Sequence, residues 1–199
     1  MGQIIAPDTM FDRLATSWFR LLGQPCFRVY GKARSEREWR MVEVHATRRR
    51  DHDSAWPPFL WRGTCITWTS QVIAVGWDFA EEFLLEQAEE PASRDHPVEV
   101  LGGRLHGPQR LDQRPTQPWP SASEILAHEC GHTYQARWLG MLYWPVGGAV
   151  TLFREGPHWY NHFENRASEQ GLFGGIVNGS VCPALMNRLR RPESPKGPS

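Results

Sequence analysis

The chain has 199 residues, 40% hydrophobic and 22% charged, a balance that suits a folded domain able to bury its own core. Lys plus Arg and Asp plus Glu number 22 each, so the formal net charge is zero. That removes the electrostatic case for nucleic acid or an anionic membrane as a partner.

Four cysteines, Cys26, Cys65, Cys130 and Cys182, show no paired spacing. The pattern argues against a disulfide framework and for free thiols in a reducing compartment. The N-terminus lacks a basic region ahead of an apolar run, because Asp8, Asp12 and Arg13 interrupt it. It does not read as a signal peptide, and the expected location is the cytoplasm. Ten tryptophans exceed what a core of this size needs, so some are expected to line a groove.

In chain order, the apolar positions of residues 10–23 have helical spacing and Gly23 is a natural stop. Residues 26–31, 39–48 and 63–70 read as strands, the first two with the alternation of half-buried antiparallel strands. Arg48, Arg49 and Arg50 are followed by Asp51 and Asp53 and read as a solvated turn. Residues 77–90 read as a helix with Phe79, Phe83 and Leu84 on one side. Residues 91–120 are rich in Pro, Gly, Arg and Asp and hold one short candidate strand, 98–103.

The next helix has clear boundaries. Ser121 and Glu124 fit a capping box, and Gly140 is the expected stop, which predicts a helix over 122–139. A further helix is expected over 158–170, ending at Gly171. The uncharged run 138–153 is 16 residues long and broken by Pro145, Gly147 and Gly148. A membrane-spanning helix needs about 20. The run therefore reads as a buried helix end and loop, or else as a hydrophobic wall or membrane-dipping segment. Residues 1–188 are expected to form one domain and 189–199 a disordered tail.

The stretch HECGH (128–132) lies on the capped helix. Residues four apart share a helix face, so His128 and His132 can present two imidazoles to one ion. Glu129 is rotated about 100° from His128 and can take a proton from a water beside the metal without being a ligand. Gly131 costs helix stability, which suggests a close packing partner. Cys130 is expected behind the helix, away from the metal. A tetrahedral site needs a third protein ligand. The extended HExxHxxGxxH pattern is excluded, because Gln135 and Trp138 stand where its Gly and His belong. The remaining candidates are in residues 158–171: Glu164 or His162 as the third ligand, and His158, His162 or Tyr160 as a donor to an oxyanion. Tyr134 and Gln135 read as packing or capping residues.

The stretch HECGHTYQARWLGMLYWP, followed by the E-N-x-A-x-x-x-G frame of residues 164–171, resembles the gluzincins, and among them a group of small HExxH metallopeptidases. The resemblance covers about residues 121–175. It implies Glu164 as the third ligand on a second helix. It also implies Ala167 as the small residue that lets the two helices approach, with Ser168 and Glu169 available to hydrogen-bond a ligating histidine. The family's strongest version has Asp where this chain has Ser168.

The expected fold is α+β, zincin-like: a small antiparallel sheet from the N-terminal half, packed on an active-site helix pair. One Zn²⁺ is expected on His128, His132 and Glu164, with Glu129 as general base toward a zinc-activated water. The expected substrate is a peptide or protein, and a strand such as 98–103 could pair with it. A zinc hydrolase acting on another amide or ester, and a non-catalytic metal-stabilised module, are the alternatives. Membrane association through 138–153 stays open, as does the oligomeric state.

Overall fold

The computed structural model describes residues 10, 13–14, 17–18, 23–47, 65–101, 120–147, 162–177 and 181–190. The chain is mixed α+β, built on a six-stranded sheet of order β3-β4-β2-β1-β6-β5. The strands are β1 (Gly23–Ala33), β2 (Arg40–Thr47), β3 (Cys65–Thr67), β4 (Val72–Val75), β5 (Val98–Glu99) and β6 (Gly171–Ile176). The helices are α1 (Trp77–Glu89), α2 (Ala122–Leu139), α3 (His162–Gln170) and α4 (Pro183–Leu189), with a 3-10 turn at Gly140–Leu142.

β1 and β2, expected as half-buried antiparallel strands over 26–31 and 39–48, pair with each other from Gly23↔Thr47 to Gly31↔Arg40, and β2 is buried on both faces. A bulge between Pro25 and Phe27 lets Cys26 and Phe27 both enter the core. The expected wholly antiparallel sheet is corrected, because β4 lies parallel to β2. The expected strand over 63–70 is also corrected. It ends at Thr67 and turns back into β4. Thr69 makes that turn, its Oγ1 accepting from the amides of Gln71 and Val72 at 3.2 Å. Trp68 N closes it by donating to Val72 O at 2.8 Å.

The sheet is not confined to the N-terminal half. Gly171, expected only to stop a helix, opens β6, which enters between β1 and β5. The expected strand 98–103 is two residues long, Val98–Glu99, and lies at the sheet edge opposite β3. The helix expected over 158–170 starts at His162 among the described residues, and positions 158–161 lie outside them. α4 had no sequence expectation. In the expected N-terminal helix, Met10, Arg13, Leu14, Ser17 and Trp18 are helical and exposed; the rest lies outside the described residues. The same holds for residues 48–64, 102–119 and the tail from 191.

One face of the sheet and the helices above it share the main core. Val42, Val44, Ala46, Ile73 and Val75 meet Phe79, Phe83, Leu126, Ala127 and Leu185 there. Phe83 stacks on Phe27 at 5.0 Å and meets Phe173 edge-on at 5.4 Å, which ties α1 to β1 and β6.

α2 is seated twice at its N-terminus. Ser121 and Glu124 form the reciprocal capping box. The α1 carboxylate Glu86 accepts from the amides of Ala122 and Ser123 at 2.8 and 2.9 Å. Those amides have no partner within the helix, and a negative charge is favoured there. Gly140, at φ 54°, ends the helix.

Arg40 fixes the other end of the sheet–helix contact. Buried on β2, it bonds the Glu36 carboxylate at 3.0 Å, Ser70 O at 3.1 Å and Thr133 Oγ1 of α2 at 3.3 Å. No described helix is long and apolar enough to cross a membrane. Within 138–153, Trp138, Met141 and Leu142 are exposed, and residues 148–153 lie outside the described part.

Candidate metal centre

α2 presents His128 and His132 on one face, both 5% exposed. α3 crosses beneath that face and brings Glu164 to both rings. Glu164 Oε2 lies 2.9 Å from His132 Nε2 and 3.2 Å from His128 Nε2, and the two Nε2 atoms are 3.0 Å apart. These three donor atoms could hold a metal ion. A tetrahedral ion with bonds of about 2.0–2.1 Å spaces its ligand atoms about 3.3–3.4 Å apart. The observed triangle is slightly tighter than that, so a small ion fits without rebuilding the site. Of the two third-ligand candidates, Glu164 reaches the imidazoles, while His162 is exposed at the start of α3. His158 and Tyr160 lie outside the described residues.

Each ring has a hydrogen-bond partner behind it, at Nδ1. Phe163 O can only accept, so the Gln135 amide nitrogen, at 2.8 Å, must face it. The Gln135 Oε1 then faces His132 Nδ1 at 2.7 Å and accepts its proton. With Nδ1 engaged in this way, Nε2 is the ring nitrogen left to face the centre, as a ligand once its own proton is displaced. His128 Nδ1 lies 2.9 Å from Ser168 Oγ, a hydroxyl able to accept the Nδ1 proton and leave Nε2 for the centre. Sequence reasoning placed Ser168 as such a partner, but read Gln135 as packing. Glu169, its other candidate partner, is exposed. The signal for Gln135 was its position three residues after His132, one turn along the same face.

The charges are coupled. Burial alone would raise the Glu164 pKa, but the hydrogen bonds from His128 and His132 outweigh it and hold the carboxyl far below the usual range. Burial would lower His132, but the Glu164 hydrogen bond and the charge of Glu129 outweigh it and raise its pKa. The pair therefore favours the carboxylate form of Glu164 together with a protonated His132, so a metal would have to displace the proton shared between His132 Nε2 and Glu164.

Glu129 is buried next to the triad and 7% exposed. Its Oε2 and its backbone oxygen both accept from Thr67 Oγ1 of β3, at 2.7 and 2.9 Å. Sequence reasoning had no means of finding Thr67, 62 residues upstream of its partner.

Tyr143 was also missed. It follows the 3-10 turn and folds back over His132 and Phe163, with ring centroids 6.4 and 5.8 Å away. Burial, then the nearby charges of Glu129 and Glu164, push its phenol well above its ordinary pKa. A phenol that stays protonated keeps its hydrogen to donate. Its neighbour Trp144 donates its indole N–H to Trp68 O at 3.0 Å, and the two tryptophan rings meet edge-on at 5.3 Å. The 3-10 turn is thereby hooked to the end of β3. Cys130 faces away from the centre, buried against Gly31.

The chain matches no protein-family model, no curated protein and no solved structure.

Proposed function

We propose that this protein is a zinc-dependent metallopeptidase with a zincin-like helix pair. The observation that carries the reading is the convergence of His128 Nε2, His132 Nε2 and Glu164 Oε2 on one point, with Glu129 beside them. The donor set is two imidazoles and one carboxylate, with a partner on each imidazole Nδ1, which suits zinc at a catalytic rather than a purely structural site.

Zinc, when bound, supplies Lewis acidity toward a water and a substrate carbonyl. The chain's own residues do the rest. Glu129 takes the proton of the attacking water and returns it to the leaving amine. The Tyr143 phenol donates a hydrogen bond to the oxygen that gains charge as the carbonyl is attacked. Burial around His132, Phe163 and Tyr143 excludes bulk water, which strengthens both interactions. Of the two edges of the described sheet, β3 is the one joined to Glu129, which favours an extended substrate along β3 over one along residues 98–103.

The test is metal content and hydrolysis together. Purified protein should carry one zinc, and Glu164→Gln should lose it. Zinc-loaded protein should cleave members of a mixed peptide library, and Glu129→Gln should bind zinc but cleave nothing. Cleavage unaltered in Glu129→Gln, or tight stoichiometric zinc in Glu164→Gln, overturns the reading.

A further inference from the structure

We propose that Thr67 is a positioning residue that sets the carboxylate of Glu129 for proton transfer, an inference that rests on the metallopeptidase reading. β3 is only three residues long, yet its side chains divide cleanly. Cys65 packs against the main core, Ile66 joins Val72 and Ala74 in a second cluster, and Thr67 meets α2. Thr67 is 0% exposed. Its single hydroxyl contacts Glu129 at two points, the backbone oxygen at 2.9 Å and Oε2 at 2.7 Å. One proton is shared between two acceptors, so the hydroxyl sits between the root and the tip of the same side chain.

A glutamate side chain turns about several bonds, and a carboxylate that swings does not meet its water in a reactive geometry. Fixing root and tip together removes that freedom. It also engages one carboxylate oxygen and leaves the other to accept the proton.

The anchor is itself held. Thr67 pairs with Ile73 of β4, whose four residues are all buried. The next residue, Trp68, donates its N–H to Val72 O at 2.8 Å and accepts the Trp144 indole N–H at 3.0 Å. The strand end that holds the base therefore also holds the turn carrying Tyr143. The two groups facing the substrate are thus set from one place on the sheet. A threonine that only filled space would not need its hydroxyl aimed at the one carboxylate the chemistry uses.

The test uses Thr67→Val, which keeps the shape, and Thr67→Ser, which keeps the hydroxyl. With zinc loaded and a cleavable peptide, Thr67→Val should lower kcat by roughly 10- to 100-fold. KM and zinc stoichiometry should stay as in wild type, and Thr67→Ser should recover most of the rate. Crystal structures should show the Glu129 carboxylate displaced in Thr67→Val and retained in Thr67→Ser. If Thr67→Val does not fold, Thr67→Ala takes its place in both measurements. Wild-type kcat in the hydroxyl-less variant, or a Glu129 carboxylate that has not moved, overturns the inference. If wild type cleaves no peptide, the metallopeptidase reading fails, and the crystallographic position of Glu129 still decides whether Thr67 sets it.

Discussion

Gly131 of α2 lies directly against the backbone carbonyl of Ala167 in α3, so closely that a Cβ on Gly131 would run into it. This contact lets Glu164, one turn before Ala167, reach two imidazoles on the neighbouring helix. A second contact of the same kind lies one turn away, where Gly171 presses on the carbonyl of Ala127. The helix pair is clamped by Gly131 inside α2 and by Gly171 where α3 gives way to β6.

Gly131→Ala should therefore reverse the usual rule. In an exposed helix the change gains about 1 kcal/mol. Here the new methyl meets backbone, which cannot rotate away, and the helices must part. Overpacking of this kind costs about 1–3 kcal/mol. Urea denaturation should show a loss of stability, and zinc stoichiometry should fall because Glu164 moves with α3.

Gln135 and Ser168 hold the two imidazole Nδ1 atoms at 2.7 and 2.9 Å. Gln135→Ala and Ser168→Ala should each weaken zinc binding by about 10- to 100-fold while leaving the fold intact. Competition with a chelator of known affinity measures it. Gln135→Ala should be the more disruptive, since it also removes the hydrogen bond to Phe163 O that ties α2 to the start of α3.

Tyr143→Phe keeps the ring packing against His132 and Phe163 and deletes only the hydroxyl. If the phenol stabilises the developing oxyanion, kcat should fall by about 100-fold with little change in KM or zinc content. A rise in KM with kcat untouched would point to a ground-state contact instead.

Burial pushes the thiols of Cys26 and Cys130 up to about 12. The thiolate is the reactive form. At pH 8, four units below, about one thiol in ten thousand is ionised, so neither should react with iodoacetamide in the folded protein. Reactivity should rise with pH only as it approaches the raised pKa, and appear at once in denaturant. Mass spectrometry of labelled peptides reads both.

Local sequence carried the parts of this protein that local physics controls. Ser121, Glu124 and Gly140 marked α2 to the residue, because caps satisfy backbone groups within one turn. The helical repeat placed His128 and His132 on one face, and alternation found the β1–β2 hairpin. Periodicity failed for two other segments. CITWTSQVIAV holds a hairpin turn that only Thr69's two hydrogen bonds reveal. GLFGGI is a core strand whose glycines, taken alone, argue against one. Tertiary structure alone decided which sheet edge faces Glu129, that Thr67 holds it and that Tyr143 turns back over His132. Spacing along one helix is written in four or five consecutive residues. The approach of β3 to α2 is a compromise among the whole core, and no short stretch of sequence encodes it.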